Sequence, residues 1–309
     1  MRFALVGCGR ISASHMAALQ QHRSRAELVA VCDNQPLPLR LAVEKMGAPG
    51  FESLDALLAN CDADVVVLTT PSGLHPRQAM AAALAGRHVV TEKPMATKWD
   101  EGMEMVRVCR QAAAKLFVVK QTRLNATLQR VKQAVQQGRF GRVYMVSVNV
   151  FWTRPQSCCD EAPWRGRWDL DGGAFLNQAS HCVDMVDWLV GPVDSVHAYT
   201  ATLAREIEAE DTGVMSLRLR VGGVAVNRIE HWEFDQTLPA DAQVFDASYS
   251  APSVYGLGHP LYCDNVISTL RGEVQAEVDG YEGLRSLEVV IAAYRSARDG
   301  VRVGLPLVF

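Results

Sequence analysis

Short runs of aliphatic and β-branched residues alternate with Ala-rich amphipathic stretches through the first 120 residues, and this alternation constrains the fold of the chain most. The runs are apolar at successive positions, as strands that are covered on both faces must be. We therefore predict a doubly wound parallel sheet, which is an α/β Rossmann domain. The predicted strands are residues 3–6, 28–31, 65–68, 88–90 and 116–119, and the predicted helices are residues 15–21, 54–60, 77–85 and 100–114.

The pattern changes in the second part of the chain. An apolar helical stripe begins at Leu124 and stops at Gly138, a typical helix end. Residues 143–151 and 212–221 alternate apolar and polar positions, which predicts strands with one solvent-exposed face. We therefore predict an α+β domain with a mainly antiparallel open sheet, and a last helix over residues 284–297.

Length and composition limit the classes of protein further. The 309 residues indicate two domains at about 100–200 residues each, and we place them at residues 1–122 and 123–309. A formal net charge of −3 gives no general attraction to nucleic acid or to a membrane. The eight cysteines show no Cys-x-x-Cys or zinc-finger spacing, so we predict reduced thiols in a cytoplasmic protein. No apolar run approaches the roughly 18 residues of a membrane helix.

A glycine-rich loop follows the first predicted strand. Gly7 permits a tight turn, Gly9 lets the backbone approach a pyrophosphate, and the small Ser12 keeps the next helix close to the strand. Asp33 ends the second predicted strand, where a carboxylate binds the ribose hydroxyls of a dinucleotide. Because that charge repels a 2′-phosphate and Asn34 offers no cation, the sequence favours NAD over NADP. The alternative interpretation is a glycine-rich turn without a ligand.

Two titratable side chains are candidates for proton transfer. Lys93 follows a predicted strand at the carboxyl edge of the sheet, where open α/β sheets bind ligands. In the second domain, one face of a predicted helix carries Asn177 and His181. A histidine on an apolar helix is more often a satisfied core residue than a catalyst. It could also bind a metal with Asp184, but no third ligand lies at recognisable spacing, so we expect no metal.

These motifs together resemble a known family. The chain resembles the glucose–fructose oxidoreductase, inositol dehydrogenase and MocA-like (Gfo/Idh/MocA) family over nearly its whole length. The resemblance implies a nicotinamide-dependent dehydrogenase of sugars or polyols, with a Rossmann domain, an open-sheet substrate domain and frequent tetramers. The motifs that carry it are Gly-Cys-Gly-Arg from position 7, Thr-Pro-Ser-Gly-Leu-His from 70, Glu-Lys-Pro from 92, and Gly172-Gly173 followed by His181 and Asp184.

Further motifs are similar to one branch of this family, the UDP-N-acetylglucosaminuronate 3-dehydrogenases of bacterial surface-polysaccharide synthesis. The similarity implies oxidation of a C3 hydroxyl by NAD in a cytoplasmic homotetramer. Many family members carry Asp four residues before the histidine, where this chain has Asn177, so more of the proton transfer falls to Lys93 and His181. The motifs are Val119-Lys120-Gln121, Pro163-Trp164-Arg165-Gly166, Asn177-Gln178-Ala179-Ser180-His181, His231-Trp232 and Tyr255-Gly256-Leu257-Gly258-His259.

The resemblance also implies the roles of individual residues. The implied catalytic residues are Lys93, His181 and Asn177, and the sequence does not decide whether Lys93 or His181 is the base. The implied cofactor contacts are Gly7, Gly9, Arg10, Ile11, Asp33, Thr70, Pro71, Ser72, His75, Glu92, Lys93 and Gln121. The implied substrate contacts are Lys93, Lys120, Arg123, Trp164, Arg165, Asn177, His181 and Tyr255.

Charge distribution gives separate evidence about the substrate. Residues 105–159 contain ten Lys and Arg but no Asp or Glu. This segment flanks the predicted cleft between the domains, and Arg side chains there suit the phosphates and carboxylate of a nucleotide-sugar acid. The same charge could form a solvated basic face, and nucleic-acid binding is not supported by any recognised motif.

Two other functions remain open. The substrate could be a free sugar or inositol, or the chain could be a non-catalytic NAD-binding regulator.

The chain departs from the family between Arg220 and Val221, where the family usually has some tens of further residues. Either the second sheet is shortened there or a stretch is absent from this sequence, and the sheet edges that shortening would expose favour the second explanation.

Overall fold

The computed structural model describes residues 1–152, 154–220 and 258–308. The first part of the chain forms a six-stranded parallel sheet in the order β3-β2-β1-β4-β5-β6. The strand order reverses beside β1, which opens a crevice at the carboxyl edge between β1 and β4. The strands are β1 Arg2–Val6, β2 Glu27–Cys32, β3 Gly50–Phe51, β4 Val65–Leu68, β5 His88–Thr91 and β6 Leu116–Val118.

Helices connect these strands, as parallel pairing requires. The N–H of Ala56 donates to the Ser53 hydroxyl and caps α3, and Gly47 ends α2 with a φ of 68°. The five predicted strands and four predicted helices of this part are confirmed, whereas α2 and β3 were missed. The helices are α1 Ser12–Gln21, α2 Pro36–Met46, α3 Leu54–Asn60, α4 His75–Leu84 and α5 Trp99–Gln111.

The second part of the chain combines helices with a small antiparallel sheet in the order β8-β7-β9. Helix α10 packs along β7 and also contacts α5 and α8, so it joins the two parts of the molecule. This arrangement confirms the predicted α+β architecture. The elements are α6 Ala126–Gln136, α7 Gln156–Asp160, α8 Ser180–Val190, β7 Val193–Ala201, β8 Thr212–Leu219, α9 Gly258–Leu270, α10 Gly280–Asp299 and β9 Val303–Gly304.

The predicted strand over residues 143–151 is wrong. The segment is irregular, and its large side chains Tyr144 and Phe151 are 85% and 89% exposed. Alternating polarity predicts one buried face, but a strand also needs a hydrogen-bonded neighbour, and within the described residues β8 pairs with β7 alone. The predicted features at His231-Trp232, Tyr255 and Val221 lie outside the described residues.

The two parts are tied together through α1 and α9. The His22 ring lies 2.9 Å from the Pro260 carbonyl oxygen, and the Arg25 guanidinium donates to Asp264 at 2.8 Å. The main apolar core continues from the parallel sheet into α9, α10 and β7. No helix in the described ranges is long and apolar enough to span a membrane.

Candidate active site

The glycine-rich loop lies between β1 and α1 at the carboxyl edge of the sheet. Gly7 has a φ of 96°, and a Cβ atom there would lie 2.8 Å from main-chain atoms of Thr69 and Thr70. Only glycine fits such a position. A Cβ atom at Gly9 would meet no atom of the described residues within 4 Å, so this part of the loop is open. The loop therefore leaves room for a pyrophosphate at the N-terminus of α1.

Asp33 lies beside this loop at the end of β2. Its Oδ2 accepts the Cys8 N–H at 2.6 Å, and its Oδ1 accepts the Gln35 N–H at 2.8 Å. These bonds hold the carboxylate in place while leaving lone pairs on both oxygens for ribose hydroxyls. An open glycine cradle with a fixed carboxylate at the next strand fits NAD. Arg10 is exposed and pairs with Glu161 at 3.3 Å, and its cofactor contact stays a prediction.

The loop after β4 forms the opposite wall of the crevice. Thr70 donates its hydroxyl proton to Gln78 at 2.5 Å, and Pro71 and Ser72 lead into a short 3₁₀ turn. The buried His75 ring contacts the Pro94 carbonyl at 3.0 Å and the Thr70 carbonyl at 2.8 Å. His75 therefore joins this loop to the segment that carries Lys93, so its ring is engaged by the protein.

Lys93 reaches from the end of β5 to the second part of the chain. Its Nζ donates to the main-chain oxygen of Asn177 at 2.9 Å. Burial lowers the pKa of Lys93 to about 8. About a tenth of this lysine is therefore uncharged at pH 7, and about half at pH 8, and this uncharged form can accept a proton.

Glu92, the residue before Lys93, is buried and fully engaged by the protein. Its Oε1 lies 2.9 Å from His15 Nε2 and 3.4 Å from His259 Nε2, and its Oε2 accepts the Lys93 main-chain N–H at 3.1 Å. Burial would raise the pKa of Glu92, but the hydrogen bonds from the two imidazoles hold it well below its usual range. We interpret Glu92 as a residue that positions Lys93, and its direct contact with the cofactor stays a prediction.

His181 lies one turn after Asn177, in the first turn of α8. A short π-helical turn, Phe175–Ala179, precedes the helix, a form common at functional sites. Burial lowers the pKa of His181 well below its usual range, and the charges of Lys93 and Lys120 lower it further. Its Nδ1 has no hydrogen-bond partner among the described residues. The ring is therefore a neutral imidazole beside Lys93.

Lys120 and Arg123, two of the predicted substrate contacts, pair with carboxylates of the protein. The Arg123 guanidinium donates to both oxygens of Asp184, at 2.9 and 2.8 Å, and to Glu282 at 2.9 Å. Lys120 Nζ lies 3.3 Å from Asp184 Oδ1. Both cations are buried and pair with carboxylates that are distant in sequence, and their contact with the substrate stays a prediction.

A cavity of about 140 Å³ lies next to Asn177. Arg165 lines it and donates to the Cys158 carbonyl at 2.7 Å, and its guanidinium lies 5.4 Å from the Trp164 ring centre. Sequence reasoning did not assign a role to Asp171, which lines this cavity, because no local motif marks it. The side chains with polar or charged groups around the cavity are Trp152, Arg154, Arg165, Asp171, Asn177, Gln178, Arg205, Glu210, Asp211 and Thr212.

The described geometry does not test every predicted residue. Ile11 immediately precedes α1, and Gln121 is buried with its Oε1 unpaired among the described residues. Both stay predicted cofactor contacts. The predicted substrate contact Tyr255 lies outside the described residues.

Comparison with known proteins gives matches along the whole chain. Residues 1–120 match the model "Oxidoreductase family, NAD-binding Rossmann fold". Residues 128–235 match "GFO/IDH/MocA C-terminal domain", and residues 220–305 match "Oxidoreductase family, C-terminal alpha/beta domain". An inositol 2-dehydrogenase from Rhizobium meliloti is 33% identical, over 99% of each chain.

Two solved structures are more similar to this chain. The WlbA dehydrogenase from Bordetella pertussis, in complex with NADH and UDP-GlcNAcA, is 55% identical with a TM-score of 0.95, over 100% of this chain and 98% of that one. The WlbA dehydrogenase from Chromobacterium violaceum, with the same two ligands, is 55% identical with a TM-score of 0.94, over 100% and 97%. By contrast, the chain spans only 62% of the length of an uncharacterised oxidoreductase from Synechocystis. It spans 50% of the length of a 1-carboxy-3-chloro-3,4-dihydroxycyclohexa-1,5-diene dehydrogenase from Comamonas testosteroni.

Proposed function

The chain belongs to the Gfo/Idh/MocA oxidoreductase family, and we propose that it oxidises the C3 hydroxyl of UDP-N-acetylglucosaminuronic acid with NAD. The observation that carries this proposal is the contact between Lys93 and Asn177, which brings a lysine of reduced pKa from the sheet edge to the helix of His181. The full-length similarity to two WlbA dehydrogenases that bind NADH and UDP-GlcNAcA supports the choice of substrate.

The residues of this chain would bind the sugar and remove its hydroxyl proton. When bound, NAD supplies the acceptor for the hydride that leaves C3. Lys93, uncharged in part near neutral pH, accepts the hydroxyl proton, and the neutral His181 holds the same hydroxyl by a hydrogen bond. Asn177 is a neutral amide that can orient a hydroxyl but cannot take up its proton.

The cavity beside Asn177 contains cations that could pair with an acidic substrate. Arg154, Arg165 and Arg205 line the cavity beside Asn177. Guanidinium groups bind carboxylates and phosphates through paired hydrogen bonds. Because Asp171, Glu210 and Asp211 line the same cavity, its charges balance, and the choice of an acidic substrate rests on the similarity to the WlbA dehydrogenases.

The wider setting belongs to the same proposal. We place the enzyme in the cytoplasm as a homotetramer that contributes to lipopolysaccharide sugar synthesis. All eight cysteines are free, as in a reducing compartment. Family resemblance supports the tetramer, and a mass measurement in solution tests it.

A substrate screen tests the function directly. NADH absorbance would be followed with UDP-N-acetylglucosaminuronic acid, UDP-N-acetylglucosamine, free glucuronic acid and myo-inositol. We expect the nucleotide-sugar acid to be oxidised with the highest kcat/KM, and NMR of the product to locate a ketone at C3. The inositol 2-dehydrogenase relative makes myo-inositol the second candidate. Higher kcat/KM with inositol would replace our proposal, and NAD binding without any reduction would favour a regulator.

A further inference from the structure

Asp171 is a buried carboxylate next to the proposed reaction site that the mechanism above does not use. Only 6% of its surface is exposed, and it lies just before the glycine pair that leads into the helix of His181. Its Oδ2 accepts the Gly166 N–H at 2.9 Å. Its Oδ1 accepts a hydrogen bond from the Asn177 side-chain nitrogen. A buried carboxylate that specific hydrogen bonds hold next to a reaction site is a candidate functional group.

Asn177 links Asp171 to Lys93. The Asn177 main-chain oxygen accepts the Lys93 ammonium, and its side-chain amide donates to Asp171. An amide that donates its N–H to one carboxylate turns its oxygen away from that carboxylate. Asp171 therefore fixes both the direction of the Asn177 amide and the position of the backbone that receives Lys93.

We propose that Asp171 is a positioning residue of this dehydrogenase. It holds Asn177 so that the amide oxygen of Asn177 accepts a hydrogen bond from a substrate hydroxyl, and its negative charge balances the positive charge of Lys93. This inference rests on the proposed function. Many family members carry a carboxylate at the position of Asn177, and in this chain the carboxylate of the site lies six residues earlier, at Asp171.

The charges around Lys93 agree with this role. The negative charge of Asp171 raises the pKa of Lys93 against the lowering by burial, and Lys93 and Arg154 in turn favour the ionised form of Asp171. Burial nevertheless raises the pKa of Asp171 above its usual value, because the hydrogen bonds from Gly166 and Asn177 offset the effect of burial only in part. The charged and titratable groups that act on Lys93 or on which Lys93 acts are Glu92, Arg154, Asp171, Lys120, His181 and His75.

The test compares Asp171→Asn with the wild type and with Asp171→Glu. We expect Asp171→Asn to move the acid limb of the kcat/KM profile, and the pKa of Lys93, downward by about 1 pH unit. We expect kcat to fall roughly 10-fold to 100-fold, because the amide and lysine are misplaced, with NAD affinity unchanged. Asp171→Glu keeps the charge and should restore the limb in part.

Asp169→Asn is the matched control. Asp169 lies on the same loop, its side chain is 52% exposed, and it pairs with Arg167 on the surface at 3.1 Å. This variant should keep the wild-type kcat and pH profile. An unshifted limb in Asp171→Asn, whether or not kcat falls, would reduce Asp171 to a structural residue and overturn the proposal.

A readout that needs no substrate separates this inference from the proposed function. The rate at which acetic anhydride labels Lys93, followed by peptide mass spectrometry across pH, gives the pKa of Lys93 in each variant. A downward shift in Asp171→Asn supports the role of Asp171 even if the wild type fails to oxidise UDP-N-acetylglucosaminuronic acid. An equal pKa in the wild type and Asp171→Asn overturns the inference even if the wild type is active.

Discussion

Burial lowers the pKa values of both proton-transfer candidates, Lys93 and His181, but it leaves them with different roles near neutral pH. Lys93 has a pKa of about 8, within the range in which an enzyme usually works, because burial disfavours its charged form. His181 has a pKa well below its usual range, so its ring stays neutral at all working pH values. The pH dependence of the reaction should therefore come from Lys93, and His181 should act as a neutral hydrogen-bonding group.

This difference predicts distinct pH profiles. A base must be unprotonated, so wild-type kcat/KM should rise with pH and level off above about 8. Lys93→Met should remove this limb and lower kcat by about 10²–10⁴-fold, the usual contribution of a general base. His181→Asn should lower kcat but keep the limb near the same pH. The measurement is the rate of NADH formation across pH, with NAD affinity as the control for folding. A limb that persists in Lys93→Met and disappears in His181→Asn would exchange the two roles.

Elements of both parts of the molecule meet at Glu92, which joins β5 and α1 of the Rossmann part to α9 of the second part. His15 comes from α1 and His259 from α9, and both contact one carboxylate oxygen. Because the pKa of Glu92 is held well below its usual range, its ionised form stabilises the folded state. That stability is fully present above the unfolded carboxyl pKa and is lost as the pH falls through the lower folded pKa.

Glu92→Gln tests this junction through stability rather than activity. At neutral pH we expect the free energy of unfolding to fall by about 3–5 kcal/mol, as when one partner of a buried charge cluster is removed. The difference from the wild type should shrink in acid, below the usual carboxyl pKa of about 4.3. Urea unfolding at several pH values gives both quantities. Glu101→Gln, which loses a surface pair with Lys98, should stay within about 0.5 kcal/mol of the wild type. A Glu92→Gln difference that is constant from acid to neutral pH would contradict this account.

Sequence reasoning succeeded where the determinants are local and failed where partners are distant. The buried strand Val65–Leu68 and the helix Leu54–Asn60 were predicted with their observed bounds, because the apolar pattern that specifies each lies within a few residues. The pairing of Lys120 and Arg123 with Asp184 could not be predicted, because Asp184 lies some 60 residues away along the chain. The segment at 143–151 failed for a related reason, since a strand depends on a neighbour that its own residues do not specify.

The candidate site shows the same division. Gly7, Gly9 and Asp33 could be predicted because the turn and the strand end that need them are local patterns. The contact between Lys93 and Asn177 joins residues 84 positions apart, so only the family resemblance suggested that they meet. Asp171 has no local motif of its own, and its buried hydrogen bonds became evident only in the folded structure.

The geometry of the reaction site depends on how closely the two parts of the protein approach each other. The Gly73 N–H, in the loop after β4, donates to the Leu170 carbonyl at 3.0 Å, and the Thr97 hydroxyl donates to the Asp169 carbonyl at 3.2 Å. These contacts fix the loop that carries Asp171 against the sheet edge that carries Lys93. The approach is so close that a Cβ atom at Gly73 would lie 1.8 Å from the Asp169 carbonyl oxygen.

Gly73→Ala tests whether this contact sets the geometry of the reaction site. Because the clash is with main-chain atoms, the second part must shift, and a misplacement of about 1 Å can cost roughly 10²-fold in rate. We therefore expect kcat to fall by about that factor, with a loss of about 1–3 kcal/mol in the free energy of unfolding from overpacking. Gly304→Ala is the control, because a Cβ atom there meets no described residue within 4 Å, and it should keep the wild-type kcat. A wild-type kcat in Gly73→Ala would contradict this account, because the close approach at this loop would then not position Lys93 against Asn177. The alignment of these two residues would instead depend on the contacts along α1 and α9.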